Sequence, residues 1–111
     1  MTRQIATFAL AGVLAAATTA AAAPLTDAQA TALMTKAGCN ICHSVDKKLV
    51  GPSYMEVSKK HKGDKAAPAA LLKKVREGGT GVYGPIPMPP NPVDKINDAD
   101  LTALIAWVLT K

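Results

Sequence analysis

Beyond residue 24 the apolar positions recur at helical spacing in four stretches, each bounded by capping or breaking residues. The first carries Ala30, Leu33, Met34 and Ala37 at i, i+3, i+4 and i+7. Thr26-Asp27-Ala28-Gln29 ahead of it has the form of a capping box, Leu25 can staple over Ala30, and Gly38 is placed to end the helix near Ala37. Ser53-Tyr54-Met55-Glu56 is a second box, opening a short helix that should stop near Gly63. Pro68 suits the first turn of a third helix, with Leu71, Leu72 and Val75 as its apolar face and Gly78 as its stop. Asn97 caps a fourth, where Asp98 and Asp100 favour the positive N-terminal end and Leu101, Leu104, Ile105 and Val108 form the stripe to bury. The pattern predicts an all-α fold of about four helices in one domain.

Between the third and fourth stretches, Gly78 to Ile96 is too rich in glycine and proline for regular structure. Five of the eight prolines fall between Pro85 and Pro92. Each proline fixes φ and lowers the entropy lost on ordering, so the segment is stiff. A structureless loop of this length in a small domain is usually functional or disordered. Val82, Tyr83, Ile86, Met88 and Val93 give this one apolar side chains to bury, and the arrangement looks built to hold Met88.

The first 23 residues read differently. Arg3 supplies a positive start, Ile5 to Leu14 an apolar segment, and Ala21-Ala22-Ala23 a cleavage site, the pattern of a secretory signal peptide over 1–23. The competing membrane-anchor reading rests on 19 uncharged residues from Ile5 to Ala23, but alanine and threonine dominate their second half. Cleavage after Ala23 leaves a domain over 24–111, 88 residues with 38 apolar side chains and three aromatics, Tyr54, Tyr83 and Trp107. So small a chain is marginal unless something besides side chains fills its core, which points to a cofactor. Twelve basic against eight acidic residues in that domain make a moderately basic surface, suited to an acidic partner patch or a membrane surface. No aromatic–basic interleaving or DNA-binding motif points to nucleic acid.

Cys39-Asn40-Ile41-Cys42-His43 carries the chemistry. C-x-x-C-H is the attachment pattern for a c-type haem: each thiol can add to one vinyl group of the haem edge, and the adjacent imidazole is placed to ligate the iron. A disulfide between these cysteines would close too small a loop to stabilise much. A dithiol redox centre would want a βαβ context, and structural zinc about four ligands where the only other histidine is His61. For a second axial ligand the candidates are His61, in the polar run Lys59-Lys60-His61-Lys62; Met34, on the first helix's apolar stripe; Met55, at the start of the second helix; and Met88. The proline-stiffened loop favours Met88, since ligation demands a fixed sulfur, whereas a free methionine often only fills a gap.

With these residues the chain resembles the small bacterial class I cytochromes c, above all the c-551 group of denitrifying bacteria. The matching stretches are Gly38-Cys39 to His43, Val50-Gly51-Pro52 with Tyr54, Gly81 to Asn91, and Trp107-Val108-Leu109, in order along nearly the whole domain. The resemblance implies one haem c attached through Cys39 and Cys42, with His43 and Met88 as axial ligands. It further implies that Pro52 offers its carbonyl to the imidazole and that Asn91 hydrogen-bonds near the ligating sulfur. Relatives often carry Trp at Tyr83 and Arg at Lys74, both associated with an inner haem propionate; Tyr and Lys still donate there, with different geometry. Trp107 reads as packing between the terminal helices.

The implied function is a soluble, monomeric periplasmic electron carrier rather than an enzyme, without stable membrane insertion. Lys36, Lys47, Lys48, Lys59 and Lys60 would ring the exposed haem edge and steer weak encounters. Its donor would be a cytochrome bc1 complex or a copper protein, and its acceptor a nitrite reductase, terminal oxidase or peroxidase. Two other classes compete: a haem protein with an open sixth site that senses or activates a gas or peroxide, and a subunit docked permanently to an oxidase or reductase.

Overall fold

The computed structural model describes residues 11–16 and 23–111. The signal peptide expected over Met1–Ala23 falls for the most part outside them. Four α-helices follow in chain order: α1 Asp27–Ala37, α2 Tyr54–Lys60, α3 Ala67–Glu77 and α4 Asp98–Val108, with a 3-10 turn at Cys39–Ile41. Among the described residues the only β pairings are two isolated bridges, His43–Lys48 and Gly79–Met88.

The caps act where the sequence places them. Thr26 Oγ1 accepts from the Gln29 amide at 3.2 Å while Gln29 Oε1 accepts from the Thr26 amide at 2.9 Å, so two orphan donors of α1 are satisfied reciprocally. Gly38 ends α1 in the left-handed region, at φ 79°. Ser53 and Asn97 each cap through the amide three residues on. The second helix is shorter than expected: it ends at Lys60, and the chain turns through His61 to Gly63.

α4 is the hub on which α1, α2 and α3 all pack. Its stripe of Leu101, Leu104, Ile105 and Val108 is buried as expected, against Ala30, Met34 and Ala37 of α1. Trp107 is buried with them and donates its indole N–H to Asp27 Oδ1 at 3.0 Å, joining the two terminal helices. Tyr54 meets the Trp107 ring edge-on at 6.0 Å, and Ser58 Oγ donates to the Leu109 carbonyl at 2.8 Å, which fixes α2 to the end of α4.

Two expectations are corrected. Leu71, Leu72 and Val75 of α3 are only partly buried, because Leu71 and Val75 face a cavity rather than a closed core. In the loop, Val82 and Ile86 line the same cavity with Tyr83 and Met88, whereas Val93, expected to be buried, is exposed; Asn91 and Ile96 are buried there. Backbone hydrogen bonds between Gly79 and Met88 also pin the loop.

Candidate haem site

The left-handed Gly38 turns the chain out of α1 into the 3-10 turn, closed by the Cys42 and His43 amides donating to the Cys39 carbonyl at 3.2 and 2.9 Å. Cys39, Cys42 and His43 thereby arrive on one wall of a cavity. The two are not joined in a disulfide, which leaves both sulfurs for the cavity.

Residues 44–53 loop back so that Pro52 meets the histidine. His43 Nδ1 lies 2.7 Å from the Pro52 carbonyl oxygen. A carbonyl can only accept, so Nδ1 carries the proton and Nε2 keeps the free lone pair. The imidazole also stacks on Tyr54, with centroids 5.4 Å apart and planes at 23°. The tautomer and orientation an axial ligand requires are thus already set by the chain.

The proline loop supplies a further part of the wall. Met88 pairs with Gly79 through two backbone hydrogen bonds of 2.9 and 3.0 Å. Gly78, at φ +70°, permits this approach: a Cβ there would stand 2.3 Å from the Met88 carbonyl oxygen. Met88 lines the cavity. Met34 is buried in the core between α1 and α4, Met55 is half exposed, and His61 lines a separate basin with Lys59 and Lys62. Of the three methionines among the described residues, Met88 alone reaches the cavity wall.

The cavity is open to solvent on one side, and α3, α4 and the loop wall it mainly with aliphatic side chains. No large side chain among the described residues is completely buried. The core is a shell around this space. Tyr83 Oη lies buried on the wall with no hydrogen-bond partner, an arrangement that normally costs about 1–3 kcal/mol. Burial, and after it the charge of Glu56, raise the Tyr83 hydroxyl above its ordinary pKa, so it stays a neutral donor. Lys74 lines the same wall. Two thiols, a preset imidazole, a thioether, an unpartnered hydroxyl and an ammonium around an apolar space fit a flat apolar macrocycle with an acidic edge.

Of the site residues read from the sequence, Cys39, Cys42, His43, Pro52, Lys74, Tyr83 and Met88 all line this cavity, and Asn91 does not. Its buried amide donates to Pro89 O at 3.0 Å and Val75 O at 3.3 Å, so both amide hydrogens brace backbone behind the loop and are not directed at the sulfur. The lysines also spread more widely than expected: Lys60 Nζ stands 5.5 Å over the Tyr83 ring, whereas Lys59 faces the basin beside His61. Two contributors were missed, Gly78 and Arg76. Arg76 Nη1 donates to the Asn91 carbonyl at 3.0 Å and Nη2 pairs with Asp98 at 2.6 Å.

An all-α shell whose centre is a cavity bordered by a C-x-x-C-H segment defines the class: a c-type haem protein. The cytochrome c family model matches residues 28–111, and the chain belongs to that family, as a small class I member with one covalently bound haem c that serves as a monohaem electron carrier. It is 49% identical over 77 residues to cytochrome c2 of Rubrivivax gelatinosus, covering 69% of this chain and 91% of that one. With cytochrome c-551 of Azotobacter vinelandii the identity is 48% over 73 residues, covering 66% and 85%. The crystal structure of Nitrosomonas europaea cytochrome c552 superposes with a TM-score of 0.67 at 40% identity, covering 72% of this chain and 96% of that chain. Among the described residues no helix is long and apolar enough to cross a membrane.

Proposed function

We propose that this cytochrome is a soluble periplasmic shuttle, exported by its first 23 residues as a monomer, that passes single electrons between respiratory donors and terminal reductases or oxidases and catalyses no reaction itself. The observation that carries this reading is that His43, its Nδ1 engaged by Pro52, and the backbone-clamped Met88 line one apolar cavity with both cysteines. When bound, the haem supplies the one-electron couple of its iron. Cys39 and Cys42 hold it by thioethers. His43 Nε2 and the Met88 sulfur would ligate its iron, and with both engaged no coordination position would remain for a substrate, which argues against a gas sensor or peroxide catalyst.

The chain's other residues tune that couple. Pro52 accepts from Nδ1–H and raises the ring's basicity. Thioether ligation and aliphatic walls favour the reduced state. Tyr83 and Lys74 would donate to the acidic edge of the haem, which would give the orphaned hydroxyl its partner. A loop stiffened by five prolines holds the sulfur alike in both oxidation states, so little rearrangement accompanies transfer. Electrons leave at the exposed haem edge, where Lys60 stands over the Tyr83 ring, toward an acidic patch on the partner, in an encounter small in area and weakly held. By similarity the donor is a cytochrome bc1 complex or a copper protein, and the acceptor a nitrite reductase, terminal oxidase or peroxidase.

Replacing Met88 by Ala tests the assignment. The variant should keep its haem through Cys39 and Cys42, lose the weak far-red band of a ferric iron–methionine bond, bind carbon monoxide when reduced and show a lower potential. The same change at Met34 or Met55 should leave the band in place. A far-red band that survives Met88→Ala refutes the ligand, and stopped-flow oxidation by candidate periplasmic reductases then ranks the partners.

A further inference from the structure

Gly51 sits against the histidine. Its φ lies outside the left-handed region, so no turn geometry demands glycine there. Contact does. A Cβ built on Gly51 would stand 2.6 Å from His43 Cε1, 2.9 Å from Nδ1 and 3.2 Å from Nε2. A flexible side-chain end could normally swing aside, but this ring is restrained by the 2.7 Å bond to Pro52 and by Tyr54 stacked on it. The Gly51 backbone cannot easily retreat either: its amide donates to the Cys42 carbonyl at 2.8 Å, and its carbonyl accepts from Leu49 at 3.1 Å.

We propose that Gly51 is a positioning residue for the proximal ligand: the missing side chain lets the imidazole lie against the backbone, and this contact sets the ring's place and the length of its bond to Pro52. The inference rests on His43 ligating the iron, as proposed above. A shorter Nδ1–H···O bond pushes electron density toward Nε2 and favours the oxidised couple. A methyl group at position 51 drives the ring from Pro52, stretches that bond and shifts the midpoint upward.

The test compares the holoprotein with Gly51→Ala and with Leu49→Ala, a change in the same loop at a half-exposed side chain, by redox titration and by NMR of the His43 ring protons in the reduced state. Gly51→Ala should raise the midpoint and move the ring resonances, and Leu49→Ala should do neither. An unchanged midpoint and ring pattern in Gly51→Ala, or equal shifts in both variants, overturns the proposal and leaves Gly51 as loop packing. If Gly51→Ala loads no haem, Gly51→Ala with Tyr54→Leu decides, since a smaller neighbour gives the ring room to back away. Recovered loading supports the steric contact; loading that stays absent while Tyr54→Leu alone loads normally overturns it. Should the native protein's ring protons show no shift from haem ligation, the ligand assignment itself fails, a result distinct from either of these.

Discussion

Asp27 shows what one residue contributes through chemistry that spacing alone does not reveal. In the sequence it is the first acidic residue of a capped helix. In the fold its Oδ1 accepts from the Trp107 indole at 3.0 Å and from Lys111 Nζ at 3.2 Å, while Lys111 covers the Trp107 ring at 4.2 Å. The indole hydrogen bond first, then Lys111, hold the Asp27 carboxyl below its usual 3.8. A lowered folded-state pKa contributes stability that is complete above the unfolded value and fades as pH falls through the folded one. Native protein should therefore lose part of its stability below about pH 4 through this group, and Asp27→Asn should flatten that segment of the stability–pH curve, measured by chemical denaturation. The partners lie 80 and 84 residues away, which is why periodicity could place Asp27 in a helix and Trp107 in the core without joining them. Gly51 was hidden likewise: it stood inside a recognised stretch, but nothing in the chain says that a ring eight residues earlier rests on it.

Among the elements, α1 and α4 were the most legible, because their caps and their i, i+3, i+4 stripes agree and a closed core buries both. α3 was legible as a helix and less so as a surface. Periodicity reports that Leu71 and Val75 share a face; it does not distinguish a neighbouring helix from a cavity as what that face meets. The proline loop was read correctly as irregular, and of the apolar side chains it was expected to bury, Val82, Tyr83, Ile86 and Met88 line the cavity while Val93 is exposed; the backbone and polar contacts that also hold it were not legible. Arg76 links three elements there, donating from α3 to the Asn91 carbonyl and pairing with Asp98 at the start of α4. Removing it by Arg76→Ala should cost about 1 kcal/mol, a typical net hydrogen-bond contribution. That corresponds to a fall in midpoint temperature of about 4–8 °C for a domain of this size. Asp98→Asn should cost less, since the Asp98 side chain is 72% exposed and exposed ion pairs contribute little. Thermal unfolding of the two holoprotein variants checks the order; equal losses would show that the ion pair, not the carbonyl contact, holds the loop.

For the molecule as a whole, the short supply of apolar side chains was the informative quantity. Residues 24–111 hold only three aromatics, and their core borders an open apolar cavity rather than closing on itself. The cofactor is then part of the fold as well as its function. Cys39→Ala with Cys42→Ala should leave a chain largely unfolded by circular dichroism, whereas a cooperative transition near the holoprotein's midpoint would show that side chains suffice. Proton NMR of the reduced native protein tests whether the haem lies between His43 and Met88. One methionine methyl resonance should be shifted far upfield by the porphyrin ring current, with through-space contacts that assign it to Met88. No such methyl, or one assigned to Met34 or Met55, would contradict that placement.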